Sequence, residues 1–132
     1  MINRLTSSLD FHAQALSLRA ERQRVIASNI ANADTPGYQA RDFDFAAALR
    51  ANTGASRTGE GIAQGVMASS SAVPPVLRYA TPSQTNLDSN TVDMDRERSS
   101  FVDNSVKYES TLRFINGSLR TTLDAMKSHN QA

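Results

Sequence analysis

The stretch Ala27-Ser28-Asn29-Ile30-Ala31-Asn32-Ala33-Asp34-Thr35-Pro36-Gly37-Tyr38 ends a helix and turns the chain. The side chains of Asn32 and Asp34 compete with helical backbone bonding. Pro36 cannot continue a helix, and it disfavours the helical region for Thr35. Pro36 and Gly37 have the residue order of a type II turn, in which glycine supplies the positive φ. The stretch therefore predicts one long helix before it and a change of direction after it.

The predicted N-terminal helix spans 1–33 and carries a heptad stripe. Seven of its ten frame positions are apolar, which is typical of a coiled coil. The frame is Ile2, Leu5, Leu9, His12, Leu16, Arg19, Gln23, Ile26, Ile30 and Ala33. A second stripe of Phe11, Leu18 and Val25 lies beside it and widens the apolar face.

A second long helix is predicted over 93–128. Asp93 suits its N-cap, and Asp95 and Glu97 place negative charge at the positive end of the helix dipole. Gly117 indicates a close approach of another helix, because glycine is unfavourable in a helix interior. The apolar frame is Met94, Arg98, Phe101, Ser105, Tyr108, Leu112, Ile115, Leu119, Thr122 and Met126.

Two striped helices at opposite ends of a chain are expected to pair antiparallel. The fold class is therefore mainly α, with 1–33 and 93–128 forming one discontinuous coiled-coil domain. The predicted register sets Leu5 opposite Leu119, Leu9 opposite Ile115, Leu16 opposite Tyr108, and Ile30 opposite Met94, with Arg19 and Gln23 near Ser105 and Phe101. In an alternative, the middle region folds over the hairpin as a small core.

The middle region, 34–92, differs in composition. Four of the six glycines lie between Gly54 and Gly65, and Ser69-Ser70-Ser71 and Pro74-Pro75 follow. This predicts an irregular connection, flexible around 52–75, with a turn or two of helix over 46–51 and a short strand over 76–79.

The totals exclude several classes of protein. With 132 residues, 39% apolar content and no Trp, the chain is lean for a self-sufficient core, which favours a subunit that folds among neighbours. A net charge of +1 does not favour nucleic acid. The absence of Cys removes thiolate chemistry, and His12 and His129 lack a second ligand at metal spacing. Asp88-Ser89-Asn90 begins like a calcium loop, but Val92 occupies a ligand position. We therefore expect no enzyme, metal, cofactor or small-molecule substrate.

The segment from Asn29 to Tyr38 resembles the signature shared by the axial proteins of the bacterial flagellum. The matching spacing is Asn-x-x-Asn-x-x-Thr-Pro-Gly-Tyr, at Asn29, Asn32, Thr35, Pro36, Gly37 and Tyr38. Residues 40–45 and 90–97 are similar to those of the proximal rod subunits of the B type. The resemblance covers about 1–51 and 87–127, without the large inserted domains of hook and distal-rod relatives.

This resemblance implies a structural subunit of the proximal rod that packs its helices into a tube and transmits torque. It implies a periplasmic location in the basal body, reached through the flagellar type III apparatus without a cleaved signal peptide. The implied partners are other copies, the C-type rod protein, the rod adaptor protein, the inner-membrane ring and the export gate. Phe11, Leu18 and Val25 would face neighbouring subunits, and the turn at 35–38 would set the exit angle of the chain.

The residues expected to pack in the assembly are Leu5, Leu9, Leu16, Ile26, Ile30, Phe101, Tyr108, Leu112, Ile115, Leu119 and Met126. The alternative from another class is a cytoplasmic helical chaperone or adaptor of a secretion system, which would be stably folded and never exported.

Overall fold

The part of the chain that the structure describes contains three helices and two short strands. The computed structural model describes residues 2–55, 73–82 and 86–129, and the side chains of 6–54, 73–82 and 86–127. The elements are α1 (Ile2–Ala31), β1 (Arg41–Asp42), α2 (Phe45–Ala55), β2 (Arg78–Tyr79) and α3 (Met94–His129). The mainly α fold with long terminal helices is confirmed. None of the described helices combines the length and apolarity that crossing a membrane requires.

The two long helices pair antiparallel, as predicted. Gln23 Nε2 donates to Ser105 Oγ at 2.9 Å and to the Phe101 carbonyl at 3.5 Å, close to the expected register. Nearer the start of α1, the His12 ring stacks on the Phe114 ring with centroids 6.0 Å apart. Phe114 lies two residues past the position that the predicted register sets opposite His12, so this contact is displaced from the predicted register by two residues.

The face of α3 that α1 covers is more polar than its apolar frame predicted. Asn104 is buried, and its Nδ2 donates to the Arg19 carbonyl at 2.9 Å and to Gln23 Oε1 at 2.6 Å. Thr111 Oγ1 accepts from Arg19 Nε at 3.2 Å. The buried or half-buried positions repeat at alternating steps of four and three, which is coiled-coil spacing: Asn104, Tyr108, Thr111, Ile115, Ser118 and Thr122.

The helix α2 covers the second stripe of α1, so the expectation that Leu18 and Val25 face neighbouring subunits is wrong. Both are buried in one cluster with Phe43, and Phe45, Ala48 and Leu49 pack against it. Only Phe11 of that stripe stays exposed, at 42%. Part of the middle region therefore does fold onto the hairpin, as the alternative arrangement supposed.

The cap at Asp44 explains why α2 forms ahead of the predicted 46–51 helix. Asp44 Oδ1 accepts from the Ala47 backbone N–H at 3.0 Å, and this bond is the main cause of a lowered pKa of Asp44. α2 runs for 11 residues and presents Phe45, Ala48 and Leu49 to α1. Asp93 caps α3 as predicted, since its Oδ1 accepts from the Arg96 N–H at 3.1 Å.

The short strand predicted over 76–79 is present as β2. It pairs antiparallel with β1, with Arg41 opposite Tyr79 and Asp42 opposite Arg78. Most of the segment predicted to be flexible, residues 56–72, lies outside the described residues. The close approach predicted at Gly117 is wrong within this chain, because no described atom outside its chain neighbours and the local backbone of its own helix lies within 4 Å of where its Cβ would be.

Candidate functional site: the turn after α1 and the exposed flank of α3

The turn after α1 has the predicted geometry. The Tyr38 N–H donates to the Thr35 carbonyl at 3.2 Å, and Gly37 has a φ of +71°. This is a type II turn with glycine at the position that needs positive φ. Asn32 closes the helix end, because its Nδ2 donates to the Ser28 carbonyl at 2.8 Å and its Oδ1 accepts from Thr35 Oγ1 at 3.2 Å.

Asn29 joins the end of α1 to β1. Its side chain is 1% exposed, its Nδ2 donates to the Arg41 carbonyl at 2.8 Å, and its Oδ1 accepts from the Arg41 N–H at 3.0 Å. The amide thus bonds to Arg41 as a neighbouring strand would. The Tyr38 hydroxyl donates to the same Oδ1 at 3.3 Å, which ties the last residue of the turn to the helix.

Asn90 holds the same turn from the other half of the chain. It is 0% exposed, and its Nδ2 lies 3.0, 2.7 and 2.9 Å from the carbonyl oxygens of Asn32, Ala33 and Thr35. Its Oδ1 accepts from the Val92 N–H at 2.8 Å. From the sequence, Asn90 was considered only as a possible calcium ligand, and its contact with the turn was not predicted. Its one signal was its place at the start of the 90–97 segment.

Backbone bonds complete the contact, which we call the clasp and define as residues 29–41 together with 86–91. Gly37 N–H donates to the Asp88 carbonyl at 2.9 Å, and Thr91 N–H donates to the Tyr38 carbonyl at 3.0 Å. Thr91 Oγ1 accepts from the Ala40 N–H at 2.9 Å. Two segments that resembled the same family, 29–38 and 90–97, therefore meet in space.

A cavity of about 80 Å³ lies beside the clasp, and charges of both signs line it. Arg22 pairs with Asp42 at 3.1 Å across this region. Burial raises the pKa of the half-buried Glu97, and a hydrogen bond from Asn29 opposes that shift. Because acidic and basic groups face each other here, the cavity does not favour one sign of ligand. The described residues hold no group of three or more His, Asp or Glu side chains placed to bind a metal.

The residues predicted to pack divide into three groups. Ile26 is buried at 3% exposure, whereas Leu9, Leu16, Ile30, Tyr108 and Ile115 are half-buried. Phe101, Leu112, Leu119 and Met126 are exposed by 37%, 41%, 42% and 67%. The side chain of Leu5 lies outside the described residues. Of the signature residues, Asn29 is buried, Asn32 and Tyr38 are half-buried, and Thr35, Pro36 and Gly37 are exposed.

The exposed members lie on one side of α3. At 100° per residue, Phe101, Leu112, Leu119 and Met126 fall within about 40° of one another, on a flank beside the face that α1 covers. Leu123, exposed by 54%, adjoins the same flank. We call these five residues the outer stripe. A row of apolar side chains left in water on a long helix marks a surface that another protein covers.

Long antiparallel terminal helices, a tied signature turn and an uncovered apolar stripe define a helical assembly subunit. Comparison with known proteins specifies the assembly. The family model described as "Flagella basal body rod protein" matches residues 9–39. The flagellar basal body rod protein FlgB of Proteus mirabilis strain HI4320 is 45% identical over 96% of this chain and 98% of its own length.

FlgB proteins of Escherichia coli K12 and Salmonella typhimurium LT2 are 43% and 44% identical, each over 98% of this chain and 100% of their own length. The chain belongs to the FlgB family of flagellar basal body rod proteins. It is a structural subunit of the rod, located in the flagellar basal body, and it assembles with other rod components. These matches give no support to the chaperone alternative.

Proposed function

We propose that the chain is a subunit of the proximal rod, placed at its base. The residues at 40–45 and 90–97 support this position, because they resemble proximal rod subunits of the B type. The partners we infer are other copies, the C-type rod protein, the rod adaptor protein, the inner-membrane ring and the export gate. The mechanism is packing without catalysis, and torque passes through the rod because many helices share the load.

The observation that carries the proposed assembly by packing is the outer stripe. Phe101, Leu112, Leu119 and Met126 together still expose nearly two side chains' worth of apolar surface. Complete burial of one such side chain stabilises by about 2 kcal/mol, so covering these four stabilises by about 4 kcal/mol. That amount corresponds to roughly a thousandfold in an association constant. Neighbouring subunits in a rod supply the helices that cover the stripe.

The proposed domain organisation also follows from helix packing. The segments 1–33 and 93–128, which contain α1 and nearly all of α3, form one coiled-coil unit that packs in the rod wall, and 34–92 connects them at one end. Thr35, Pro36 and Gly37 are exposed at that end, and the turn sets the direction in which the chain leaves the wall. The chain reaches the periplasm through the flagellar type III apparatus without cleavage of a signal peptide.

Leu112 offers a test in which the control occupies the same position. Leu112→Asp puts a charge on the outer stripe and is expected to block rod assembly while the chain is still exported. Leu112→Met keeps an apolar side chain of similar volume and is expected to assemble normally. Leu16→Asp on α1 is expected to behave like Leu112→Asp.

The measurement is intact mass spectrometry of detergent-washed basal bodies, together with motility. The unaltered chain and Leu112→Met should be present with an uncleaved N-terminus, and Leu112→Asp should be missing. Normal motility of the Leu112→Asp cells would refute the role of the stripe. Detection of the unaltered chain in the cytoplasm alone would refute the rod assignment itself.

A further inference from the structure

We propose that Asn90 is the positioning residue of the signature turn, acting through its two side-chain N–H donors. The turn then takes its shape only when the segment 86–91 is docked on the end of α1. This inference concerns how the clasp closes, and it goes beyond the assignment to a place in the rod.

The orientation of the Asn90 amide is unambiguous. Three carbonyl oxygens, those of Asn32, Ala33 and Thr35, surround its Nδ2 at 2.7–3.0 Å. The other side-chain atom, Oδ1, faces the N–H of Val92 at 2.8 Å. Exchanging oxygen and nitrogen would set oxygen against three oxygens and N–H against N–H, so the bonding network selects one orientation.

The two N–H groups of the Asn90 side chain make hydrogen bonds that apolar packing cannot replace. The last carbonyls of a helix lack intrahelical partners, and the carbonyls of Asn32 and Ala33 lie just past the end of α1 at Ala31. A buried carbonyl without a donor is costly. Two N–H groups shared among three carbonyls hold these peptides in the orientation that the turn requires. An apolar side chain of the same size would fill the space but would remove the Asn90 donors from all three carbonyls, leaving those of Asn32 and Thr35 with only the backbone N–H groups of Thr35 and Tyr38.

The same side chain connects the turn to the start of α3. Val92, whose N–H donates to Asn90 Oδ1, directly precedes Asp93, the N-cap of α3. One amide thus spans the end of the first helix and the entry to the last. The partners of its Nδ2 lie 55 to 58 residues away in the sequence, so the N-terminal segment cannot close the turn alone.

The strained backbone of Ser89 indicates that the loop is held in a shape that places Asn90 against the turn. Its φ of +64° is in the left-handed region, which costs a non-glycine residue about 1 kcal/mol. The Ser89 N–H donates to the Asn86 carbonyl at 2.9 Å, and the Asn86 N–H donates to the Asn90 carbonyl at 3.1 Å. This small loop places the Asn90 side chain in the interior. The hydrogen bonds of the buried Asn90 amide offset the cost of the strain at Ser89.

The test compares Asn90→Asp with Asn104→Asp in the full chain. Both asparagines are buried: the Nδ2 of Asn90 donates to backbone carbonyls just past the end of α1, and the Nδ2 of Asn104 donates to the Arg19 carbonyl within α1. Both substitutions preserve shape and remove the donors, but only Asn90 touches the turn. The readout is hydrogen exchange of individual backbone amides by NMR, with circular dichroism as the measure of overall folding.

We expect Asn90→Asp to speed exchange at Gly37, Ala40 and Thr91 at least tenfold more than at amides in the middle of α1. Asn104→Asp should change the exchange rates of those three amides by no more than it changes the rates in the rest of the chain. Lowering the pH should raise the protection of these amides in Asn90→Asp, measured relative to the intrinsic exchange rate at each pH, because a protonated carboxyl regains one O–H donor. A uniform change across the chain, equal in the two variants, would mean that Asn90 adds stability without positioning the turn.

The unaltered chain provides a second test if Asn90→Asp fails to fold. The clasp should open as one unit, so Gly37, Ala40 and Thr91 should share a single opening free energy below the global value. Three separate values would overturn the proposal. Basal-body incorporation of the two variants is scored separately. If even the unaltered chain is missing from basal bodies, the rod proposal fails while the exchange result for Asn90 stands.

Discussion

Leu18→Ala tests whether α2 depends on the stripe of α1 that was expected to face other subunits. Leu18 is 5% exposed in the cluster with Val25 and Phe43. The substitution removes about three carbon groups at about 0.8 kcal/mol each and leaves a cavity, so we expect a loss of about 3 kcal/mol. That corresponds to more than a hundredfold in the equilibrium between docked and undocked α2.

The expected outcome is loss of α2 with retention of the α1·α3 pair. An isolated 11-residue helix is marginal in water, so undocked α2 should unfold. The three helices have 30, 11 and 36 residues, so far-ultraviolet circular dichroism should fall by about one seventh. Hydrogen exchange should become fast over 45–55, whereas the polar contacts between Asn104 and Gln23 keep the long helices together.

Leu16→Ala is the matched control. Leu16 lies two residues earlier on α1, is half-buried, and is outside the α2 cluster. It should leave the α2 amides protected relative to the rest of the chain. Collapse of the whole helical signal in Leu18→Ala, or no change in it, would refute the reasoning that α2 is a separately docked element.

Three further predictions concern the clasp and its surroundings. Gly37→Ala should lower the free energy of unfolding by about 1–2 kcal/mol in urea titrations through strain alone, because φ is +71° and no described atom beyond its two chain neighbours lies within 4 Å of the new Cβ. Ser89→Gly should raise it by up to about 1 kcal/mol, since glycine adopts a φ of +64° freely; an unchanged urea midpoint would contradict strain there. Because burial raises the pKa of Glu97, the folded chain holds that proton more tightly than the unfolded chain. The stabilisation that protonated Glu97 contributes is complete below pH 4.5, the ordinary pKa of a Glu carboxyl. It is lost as the pH rises through the pKa of Glu97 in the folded chain. Glu97→Gln should therefore flatten the stability–pH curve above pH 4.5, and an unchanged curve would exclude Glu97 as its source.

Local chemistry made the helix ends predictable. Pro36 and Gly37 favour a turn at this place through local φ preferences, and Asp93 caps α3 through a bond to Arg96 three residues away. The antiparallel pairing followed from two apolar stripes on long helices joined by one chain. These features depend on neighbours in sequence and on heptad spacing, which can be read directly.

The face of α3 that meets α1 was not predictable in the same way. The apolar frame placed Leu112 and Leu119 inward, but both are about two-fifths exposed. Asn104 and Thr111 bond instead to Arg19 and Gln23 on α1. A heptad frame is assigned from hydrophobicity alone, so it does not predict hydrogen bonds between helices. The leftover apolar frame is the outer stripe, which fits a helix with one partner inside the chain and others outside it.

The sequence by itself determined the two long helices, the place of the turn between Thr35 and Tyr38, the antiparallel pairing and the resemblance to flagellar axial proteins. All of these rest on local dihedral preferences, caps and periodicity. Only the tertiary structure decided that α2 covers Leu18, that a polar face of α3 meets α1, and that Asn90 closes the turn. Each of these depends on which side chains meet across more than 20 residues of chain, and the sequence around an amide or a leucine does not specify its distant partner.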